Sequence, residues 1–398
     1  MIGTLLLARG LRAFADGFVA VILPAYLLAL GLSQVEVGVL STATLLGSAL
    51  ATLAVGRWGH RHSLRGMLLV AAMLMAATGV GFAAFESLWP LLAVAFLGPL
   101  NPSGGDSSVF LPLEHSVLAS AASAEHRATT FGRYSFTGSA SGAFGALAAG
   151  VPEWLDGPGG IPLLQALRAM FLVYALIGVA AWLLYLQLPK LKPEGEQAPA
   201  ALGPSRAMVW KLAALFSVDS FAGGLVINSL LALWLFDRFD LSLTAAGAFF
   251  FWSGSLSAVS QLLAPVLARR IGLVNTMVYT HIPASLCLIG AAFASSLELT
   301  LALLFARSAL SQMDVPARSA FVMSVVTPAE RPAAASFTAV PRSLASALSP
   351  SLTGVMFAAG AMATPLVACG VLKIAYDLAL LFAFGKLDPS RGKPVPRG

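Results

Sequence analysis

Residues 189–208 read PKLKPEGEQAPAALGPSRAM and form the longest hydrophilic segment in a chain of 398 residues. The sequence on either side of this segment is mostly apolar. Hydrophobic residues make up 58% of the chain and charged residues 11%, whereas a soluble domain has about 25% charged residues. The mean hydropathy is +0.84. This composition excludes a water-soluble enzyme and a soluble domain on a single anchor, and it predicts an all-α polytopic membrane protein.

Twelve apolar runs are long enough to cross a membrane, since a spanning helix needs about 20 mostly apolar residues. We number them spans 1 to 12, and they lie at residues 3–30, 34–56, 65–86, 88–119, 127–151, 163–188, 209–236, 243–268, 272–294, 298–326, 331–358 and 362–385. The hydrophilic segment then divides the chain into three parts. These are an N-terminal six-helix bundle (1–188), a flexible cytoplasmic linker (189–208) and a C-terminal six-helix bundle with a short cytoplasmic tail (209–398).

Basic residues are distributed unequally between the two sides of the predicted membrane. The gaps on the side of the termini, the span ends that adjoin them and the tail hold 16 of the 24 lysines and arginines, whereas the opposite gaps and the span ends that adjoin them hold two. Because basic residues are retained in cytoplasmic loops, we predict that both termini are cytoplasmic in an inner or plasma membrane. No basic stripe interleaved with aromatic residues occurs, so nucleic acid is not a predicted partner.

The two halves of the chain repeat one another. Arg-x-Gly follows both span 2 and span 8, 213 residues apart, and Pro-x-Glu in span 4 is matched by Pro-x-Arg in span 10, 204 residues further on. Landmarks at nearly constant offset predict a duplicated six-helix unit, a hallmark of secondary transporters. The residues concerned are Arg57 with Gly59, Arg270 with Gly272, and Glu114 with Arg318.

These features resemble the major facilitator superfamily over essentially the whole chain. The resemblance rests on the twelve spans, the central linker and the loop after span 2. There Arg57, Gly59 and Arg61 match the family's Gly-x-Leu-Ala-Asp-Arg-x-Gly-Arg-Arg signature. It implies that both Arg-x-Gly loops take part in gating. The acidic residue of the signature is replaced by Gly56, so the charge network of the gating loops is expected to differ from the family's.

Span 5 resembles a degenerate form of the family's antiporter signature. It keeps the small residues but lacks the Gly-Pro step; the glycines are Gly138, Gly142, Gly145 and Gly150. This resemblance implies the drug–proton exporter branch. The family fold also implies that spans 1, 4, 7 and 10 surround a central cavity, and these spans hold most of the charged residues at membrane depth.

Each charged residue within a span is a candidate functional residue, because inserting it costs about 2.5–3.5 kcal/mol. In span 1, Arg12 and Asp16 share one face and can pair. Asp16 is either a proton or cation carrier or the neutralising partner of arginines that reach the cytoplasmic interface. In span 7, Asp219 has no basic residue one turn away. It is either a proton-coupling carboxyl or a carboxyl paired with a basic residue of another span.

Span 4 contains an unusual stretch, residues 98–106, which reads GPLNPSGGD. Its prolines remove backbone donors and its glycines weaken a helix. Irregular backbone at membrane depth is tolerated where it is buried in protein or lines a cavity. We therefore predict a substrate region here with Asn101, Asp106 and Glu114. The alternative is that span 4 begins after this stretch, which then forms an external loop.

Span 10 carries Asp314 and Arg318, four residues apart, which are predicted to pair directly as cavity residues or as a purely structural ion pair. Arg342 lies about halfway across span 11, and a buried arginine needs a carboxylate partner or an anionic ligand. Together with Arg12, these central arginines suit an anionic or zwitterionic substrate.

The remaining polar patterns predict no further activity. Lys373 and Asp377, four apart in span 12, are expected to neutralise each other. Ser139 lies in a glycine- and serine-rich stretch of a small-residue helix, and not in the strand–turn–helix context of a hydrolase. The sequence contains neither a metal-binding set of histidines nor a phosphate-binding motif. No metal, cofactor or ATP-driven transport is therefore predicted.

We predict a secondary transporter that moves a small solute by alternating access. Asp16, Asp219 or Asp314 is expected to cycle between charged and neutral forms as protons drive transport. Export by proton antiport is the first prediction, and proton-coupled or facilitated uptake of a small organic solute is the alternative. An intramembrane enzyme and a non-transporting sensor are remote alternatives. The expected partners are the solute, protons and the lipid bilayer, and the expected state is a monomer.

Overall fold

The computed structural model describes residues 1–58, 61–104, 108–121, 126–189, 202–327 and 330–385. Across these ranges the regular structure is helical and no strand occurs. The helices are α1 (Ile2–Ala29), α2 (Gln34–Trp58), α3 (Leu64–Ala84), α4 (Leu88–Leu97), α5 (Phe110–Ala121), α6 (Arg127–Ala148), α7 (Val151–Asp156), α8 (Leu163–Leu186), α9 (Arg206–Gly224), α10 (Asn228–Phe239), α11 (Leu243–Ile271), α12 (Leu273–Phe293), α13 (Leu297–Ser311), α14 (Asp314–Val325), α15 (Arg331–Ala358) and α16 (Thr364–Phe384).

These helices fit the twelve predicted spans. Spans 4, 7 and 10 are each formed by two consecutive helices, α4 with α5, α9 with α10 and α13 with α14, while the short α7 follows span 5. In the part of the chain that is described, eight helical segments are long and apolar enough to cross a membrane. The other four are spans 4 and 10, which are broken, and spans 5 and 11, which are rich in small and hydroxyl-bearing residues. The chain is an all-α polytopic membrane protein with two six-span repeats.

Span 4 is interrupted within the Pro- and Gly-rich stretch. The helix α4 ends at Leu97 and α5 begins at Phe110. Pro99 and Pro102 cannot donate backbone hydrogen bonds, and Gly104 has φ +67°, a left-handed conformation that favours glycine. The apolar residues before the stretch are helical in α4, and the helix resumes after it in α5.

The second half-helices of spans 4 and 10 correspond closely. Both α5 and α14 have 12 residues, and they begin and end 204 residues apart, the offset already seen in the sequence. Span 7 is also broken, after Gly224, which the sequence does not predict. A Cβ atom on Gly224 would lie 2.3 Å from the carbonyl oxygen of Ser346. Glycine therefore permits the close packing of α9 on α15 at this break.

The helices form two compact units. The first unit comprises Met1–Glu196, Ile227–Gly254 and Pro350–Gly360. The second comprises Gln197–Val226, Ser255–Ser349 and Ala361–Gly398. In the first unit α1 packs on α6 and α3 packs on α8, and in the second α12 packs on α13 and α16. The predicted division of the chain at the linker stays a prediction.

The glycines of span 5 serve close packing between α1 and α6. A Cβ atom on Gly145 would lie 2.0 Å from the carbonyl oxygen of Phe14, and one on Gly17 would lie 2.1 Å from that of Gly142. Small residues let two helix backbones approach in this way. Close packing on α1 is therefore one role of the small residues in span 5.

Candidate functional site

Glu114 lies fully buried in a polar cluster of the first unit. We call it the Glu114 cluster, and it consists of Arg12, Glu114, Tyr134 and Tyr185. Arg12 Nη2 donates to Oε2 of Glu114 in an ion pair. Tyr134 donates to Oε2 at 2.5 Å and Tyr185 to Oε1 at 2.7 Å, while Arg12 Nε donates to Tyr185 Oη at 3.0 Å. Three donors thus satisfy both oxygens of the buried carboxylate.

Arg12 forms an ion pair with Glu114 of span 4, a partner that the sequence does not predict. The physical reason is that a carboxylate with no exposed surface needs a cation beside it. Arg9 and Arg12 are 7% and 2% exposed, so they do not extend to the membrane interface as the snorkelling alternative requires. Asp16 borders a narrow space that is lined also by Arg12 and Tyr174 and has no room for a water molecule.

Asp219 lies in a second buried cluster, in the second unit. We call it the Asp219 cluster, and it consists of Asp219, His281, Asp314, Arg318, Lys373 and Asp377. Arg318 Nη1 donates to Oδ2 of Asp219 at 2.9 Å, and Lys373 Nζ donates to Oδ1 at 2.6 Å. Asp219 is thus paired with basic residues of two other spans.

Arg318 connects two aspartates. Its Nη2 lies 3.2 Å from Oδ2 of Asp314, while its Nη1 bonds to Asp219. The predicted pair of Asp314 and Arg318 is therefore present, and it extends to span 7. A guanidinium presents donors on several sides of one plane, so it can hold two carboxylates at once. Asp314 consequently orients the arginine that neutralises Asp219.

His281 and Asp377 belong to the Asp219 cluster, although the sequence assigns no role to His281 and predicts only a pairing with Lys373 for Asp377. His281 Nδ1 lies 3.1 Å from Oδ2 of Asp377, and its Nε2 lies 3.3 Å from Lys373 Nζ. These distances fit a neutral His281 that donates to Asp377 and accepts from Lys373, a tautomer assigned from the hydrogen-bond pattern.

The predicted pairing of Lys373 with Asp377 is wrong, because Asp219 and His281 offer each of them a partner on another helix. The sequence does contain a signal for this part of the cluster. His281, Lys373 and Asp377 are ionisable residues inside apolar runs, and such residues are functional candidates by default.

Arg342 has a different environment from the other central arginines. It is half-buried on α15, and its Nε donates to the hydroxyl of Ser220 at 3.1 Å. Its charged neighbours are Arg318, Asp219 and Asp314. Within the described ranges, no carboxylate oxygen lies within 4.0 Å of its guanidinium nitrogens. Arg342 is therefore close to the Asp219 cluster without forming one of its ion pairs.

The breaks of spans 4 and 7 meet in the first unit. The carbonyl of Pro102 accepts a hydrogen bond from the backbone N–H of Ser229 at 3.1 Å, at the start of α10. Asn101 is buried, and its Oδ1 accepts from the hydroxyl of Ser103 at 2.6 Å in a local turn. Glu114 bonds instead within its own cluster, and the predicted residue Asp106 lies outside the described residues. The predicted substrate region is thus divided between separate hydrogen-bonding groups.

The two predicted gating loops are exposed where the structure describes them. Arg57 and Arg61 are exposed around the loop after span 2, and Gly59 lies outside the described residues. Arg270 is exposed at the end of α11, and Gly272 has φ +96°, a conformation that favours glycine. As far as the described chain shows, these arginines form no ion pair.

Glu330 lies outside the spans and joins the end of the linker to the loop before α15. Its carboxylate accepts from the hydroxyls of Thr327 at 2.6 Å and Ser205 at 2.7 Å, and from the backbone N–H groups of Gly203 at 2.6 Å and Ser205 at 3.4 Å. These hydrogen bonds, that of Thr327 first, lower the pKa of Glu330 to about 2. Hydrogen bonds to the charged form have this effect because protonation would break them.

Ion pairs buried inside a polytopic helical protein are typical of a membrane transporter. The chain belongs to the Major Facilitator Superfamily, whose family model matches residues 5–311. It is therefore a secondary transporter and not an enzyme. Among the residues with described positions, no group of three or more His, Cys, Asp and Glu side chains is arranged to hold a metal ion.

The chain is also similar to a yeast membrane protein and to solved transporter structures. The uncharacterized membrane protein YJR124C of Saccharomyces cerevisiae is 22% identical over 427 residues, which cover 97% of this chain and 94% of that protein. A bacterial homologue of the human lysosomal transporter Spinster, in an inward-facing and occupied conformation, has a TM-score of 0.76 at 16% identity. The alignment covers 99% of this chain and 98% of that one. The nucleoside transporter NupG has a TM-score of 0.73 at 16% identity, with 99% of each chain covered. At these identities the solved structures show the common fold alone.

Proposed function

We propose that the chain couples the movement of a small solute to protons, and that Asp219 is the carboxylate through which the coupling acts. One observation carries the proposal: Asp219 holds Arg318 and Lys373, which come from two other spans. Asp314 is the weaker choice because its ion pair is with Arg318 of its own helix. Asp16 is the third candidate, beside a space lined by Arg12 and Tyr174.

Protonation of Asp219 would change the energy of the cluster substantially. It would leave Lys373 without its carboxylate and Arg318 with Asp314 alone. A buried charge without a partner costs several kcal/mol. The cations would therefore move apart or bind another anion, and spans 7, 10 and 12 would rearrange with them. A residue whose proton occupancy selects between two arrangements is what proton-coupled alternating access requires.

Export by proton antiport is the first direction that we propose, on the resemblance of span 5 to the exporter branch. Uptake is the second candidate, and Arg342 favours it. A solute with a negative charge would bind together with a proton, since each offsets the charge of the other beside the Asp219 cluster. Such cotransport down an inward proton gradient is uptake. From the distribution of basic residues we also propose cytoplasmic termini in an inner or plasma membrane.

A growth-inhibition panel tests the proposal in a host stripped of its own exporters. The panel covers drugs, dyes, metals, arsenicals and organic acids, and the parent is compared with Asp219→Asn, Asp314→Asn and Asp16→Asn at matched membrane levels. The matched control is Asp156→Asn, an exposed carboxyl at the end of α7. Any compound that responds is then followed in proteoliposomes carrying a pH-sensitive dye.

If the chain exports a compound, its expression should confer resistance to that compound. Asp219→Asn should abolish this resistance, and Asp156→Asn should preserve it. Increased sensitivity with the same dependence indicates uptake. Solute flux without proton movement, or proton-coupled flux that survives Asp219→Asn at the parental rate, refutes the coupling role of Asp219.

A further inference from the structure

We propose that Arg342 and Ser220 form the anion-binding subsite of this transporter, which takes the carboxylate of an anionic or zwitterionic solute. The inference rests on the proposed transport function and names the substrate class of that site. It concerns the second unit alone, where both residues lie beside the Asp219 cluster.

The three central arginines have different partners. Arg12 is neutralised by Glu114, and Arg318 is held by two aspartates. The guanidinium of Arg342 donates to the neutral hydroxyl of Ser220, and no carboxylate of the described residues lies within ion-pair distance of it. An arginine at membrane depth is expensive unless a counter-ion neutralises it. An anionic solute is the counter-ion that transport would supply.

Arg342 and Ser220 have donor groups left for a ligand. Because Nε of Arg342 is bonded to Ser220 Oγ at 3.1 Å, its two Nη groups remain as a planar pair of donors. This pair matches the two oxygens of a carboxylate. Ser220 accepts from Arg342, so its own hydroxyl hydrogen is available to donate. Both side chains are half-buried, and neither is sealed in the core.

Arg307 is another arginine at membrane depth in the second unit, but its surroundings differ from those of Arg342. Arg307 also has no carboxylate partner in the described ranges, but its titratable neighbour is the thiol of Cys369. Arg342 instead has Asp219 and Asp314 among its charged neighbours. A ligand on Arg342 therefore acts directly on the carboxylates proposed to carry protons, as coupled transport requires.

The experiment measures ligand binding to the purified full-length chain in detergent. The thermal unfolding midpoint is titrated with the sodium salts of lactate, benzoate, glutamate and succinate, against sodium chloride at equal ionic strength. Choline chloride is the cationic probe. A ligand that binds the folded state raises the midpoint with its concentration.

We expect at least one carboxylate to stabilise the parent more than chloride does, and choline to have no effect. Arg342→Gln should weaken that binding at least about tenfold, and Ser220→Ala about three- to tenfold, because charged hydrogen bonds are lost. Arg307→Gln controls for removal of an arginine at membrane depth, and Arg206→Gln for removal of an exposed one. Both should bind like the parent.

The proposal is overturned if no carboxylate stabilises the parent beyond chloride, or if Arg342→Gln binds with parental affinity. Equal losses in Arg307→Gln would also overturn it, since the effect would then be one of general charge. If Arg342→Gln does not fold, carboxylate binding is measured in Ser220→Ala and Arg342→Lys instead. Parental affinity for the carboxylate in both variants would overturn the subsite. If no carboxylate binds but Asp219-dependent proton flux is intact, only the proposed substrate class is refuted. If proton-coupled flux is absent, the proposed function itself is refuted.

Discussion

Glu114 of α5 and Arg318 of α14 occupy equivalent positions 204 residues apart, and each forms a buried ion pair with the first span of its own repeat. Glu114 pairs with Arg12 of span 1, and Arg318 pairs with Asp219 of span 7. The polarity of the pair is therefore reversed between the repeats. Each repeat joins its first and fourth spans by one ion pair, although the acid and the base have exchanged places.

Glu114→Gln should destabilise the chain by about 3–5 kcal/mol, because it leaves Arg12 buried without its counter-ion. Tyr134→Phe, which removes one hydrogen bond to the same carboxylate, should cost only about 1–3 kcal/mol. The measurement is chemical unfolding of the purified protein in detergent. The double variant Arg12→Gln/Glu114→Gln should be more stable than the sum of the two single changes predicts. Additive effects would mean that the pair contributes no coupling energy.

His281→Phe should destabilise the second unit, because it removes the partner of Asp377, which is fully buried. A cost of about 1.5–3 kcal/mol is typical when a hydrogen bond to a charged group is lost. Adding Asp377→Asn should recover part of this cost, since a neutral side chain is cheaper to bury. Thermal unfolding of the two variants checks the order. A double variant less stable than His281→Phe would contradict the assigned interaction.

Gly104→Ala should destabilise the junction between the breaks of spans 4 and 7. The new Cβ would lie 2.3 Å from Asn228 Nδ2, and the backbone has φ +67°. Gly31→Ala is the matched control because Gly31 has φ +83° and no heavy atom within 4 Å of its Cβ position. The control should lose about 1–2 kcal/mol from backbone strain, and Gly104→Ala should lose more. Equal losses in unfolding experiments would show that the contact with Asn228 is unimportant.

Glu330 should make stability depend on acid pH. Its folded pKa of about 2 is below the ordinary value of 4.5, so the charged form stabilises the folded state. This contribution is complete above the ordinary pKa and disappears as the pH falls through about 2. Glu330→Gln should therefore unfold at a lower temperature than the parent at neutral pH, and the difference should shrink below pH 4.5. A difference that is constant from pH 7 to pH 3 would argue against the assignment.

Much of the fold follows from the order of residues along the chain. Apolar runs predict the twelve spans, because a spanning helix needs a minimum length of apolar sequence. The prolines around Asn101 predict the break in span 4, and the 204-residue offset anticipates the correspondence of α5 with α14. The break after Gly224 escapes prediction because it depends on close packing against Ser346 of a distant helix.

The candidate sites divide in the same way. Hydropathy alone indicates which ionisable residues lie at membrane depth, because their desolvation cost makes them conspicuous in an apolar run. Their partners depend on the tertiary structure. Neighbours four residues apart along a helix suggested Lys373 with Asp377 and Arg12 with Asp16. In the folded units, Lys373 forms an ion pair with Asp219 and Arg12 forms one with Glu114, each on another helix. Side chains separated by a hundred or more residues meet only after the helices pack, and a buried charge then pairs with the opposite charge that packing brings closest.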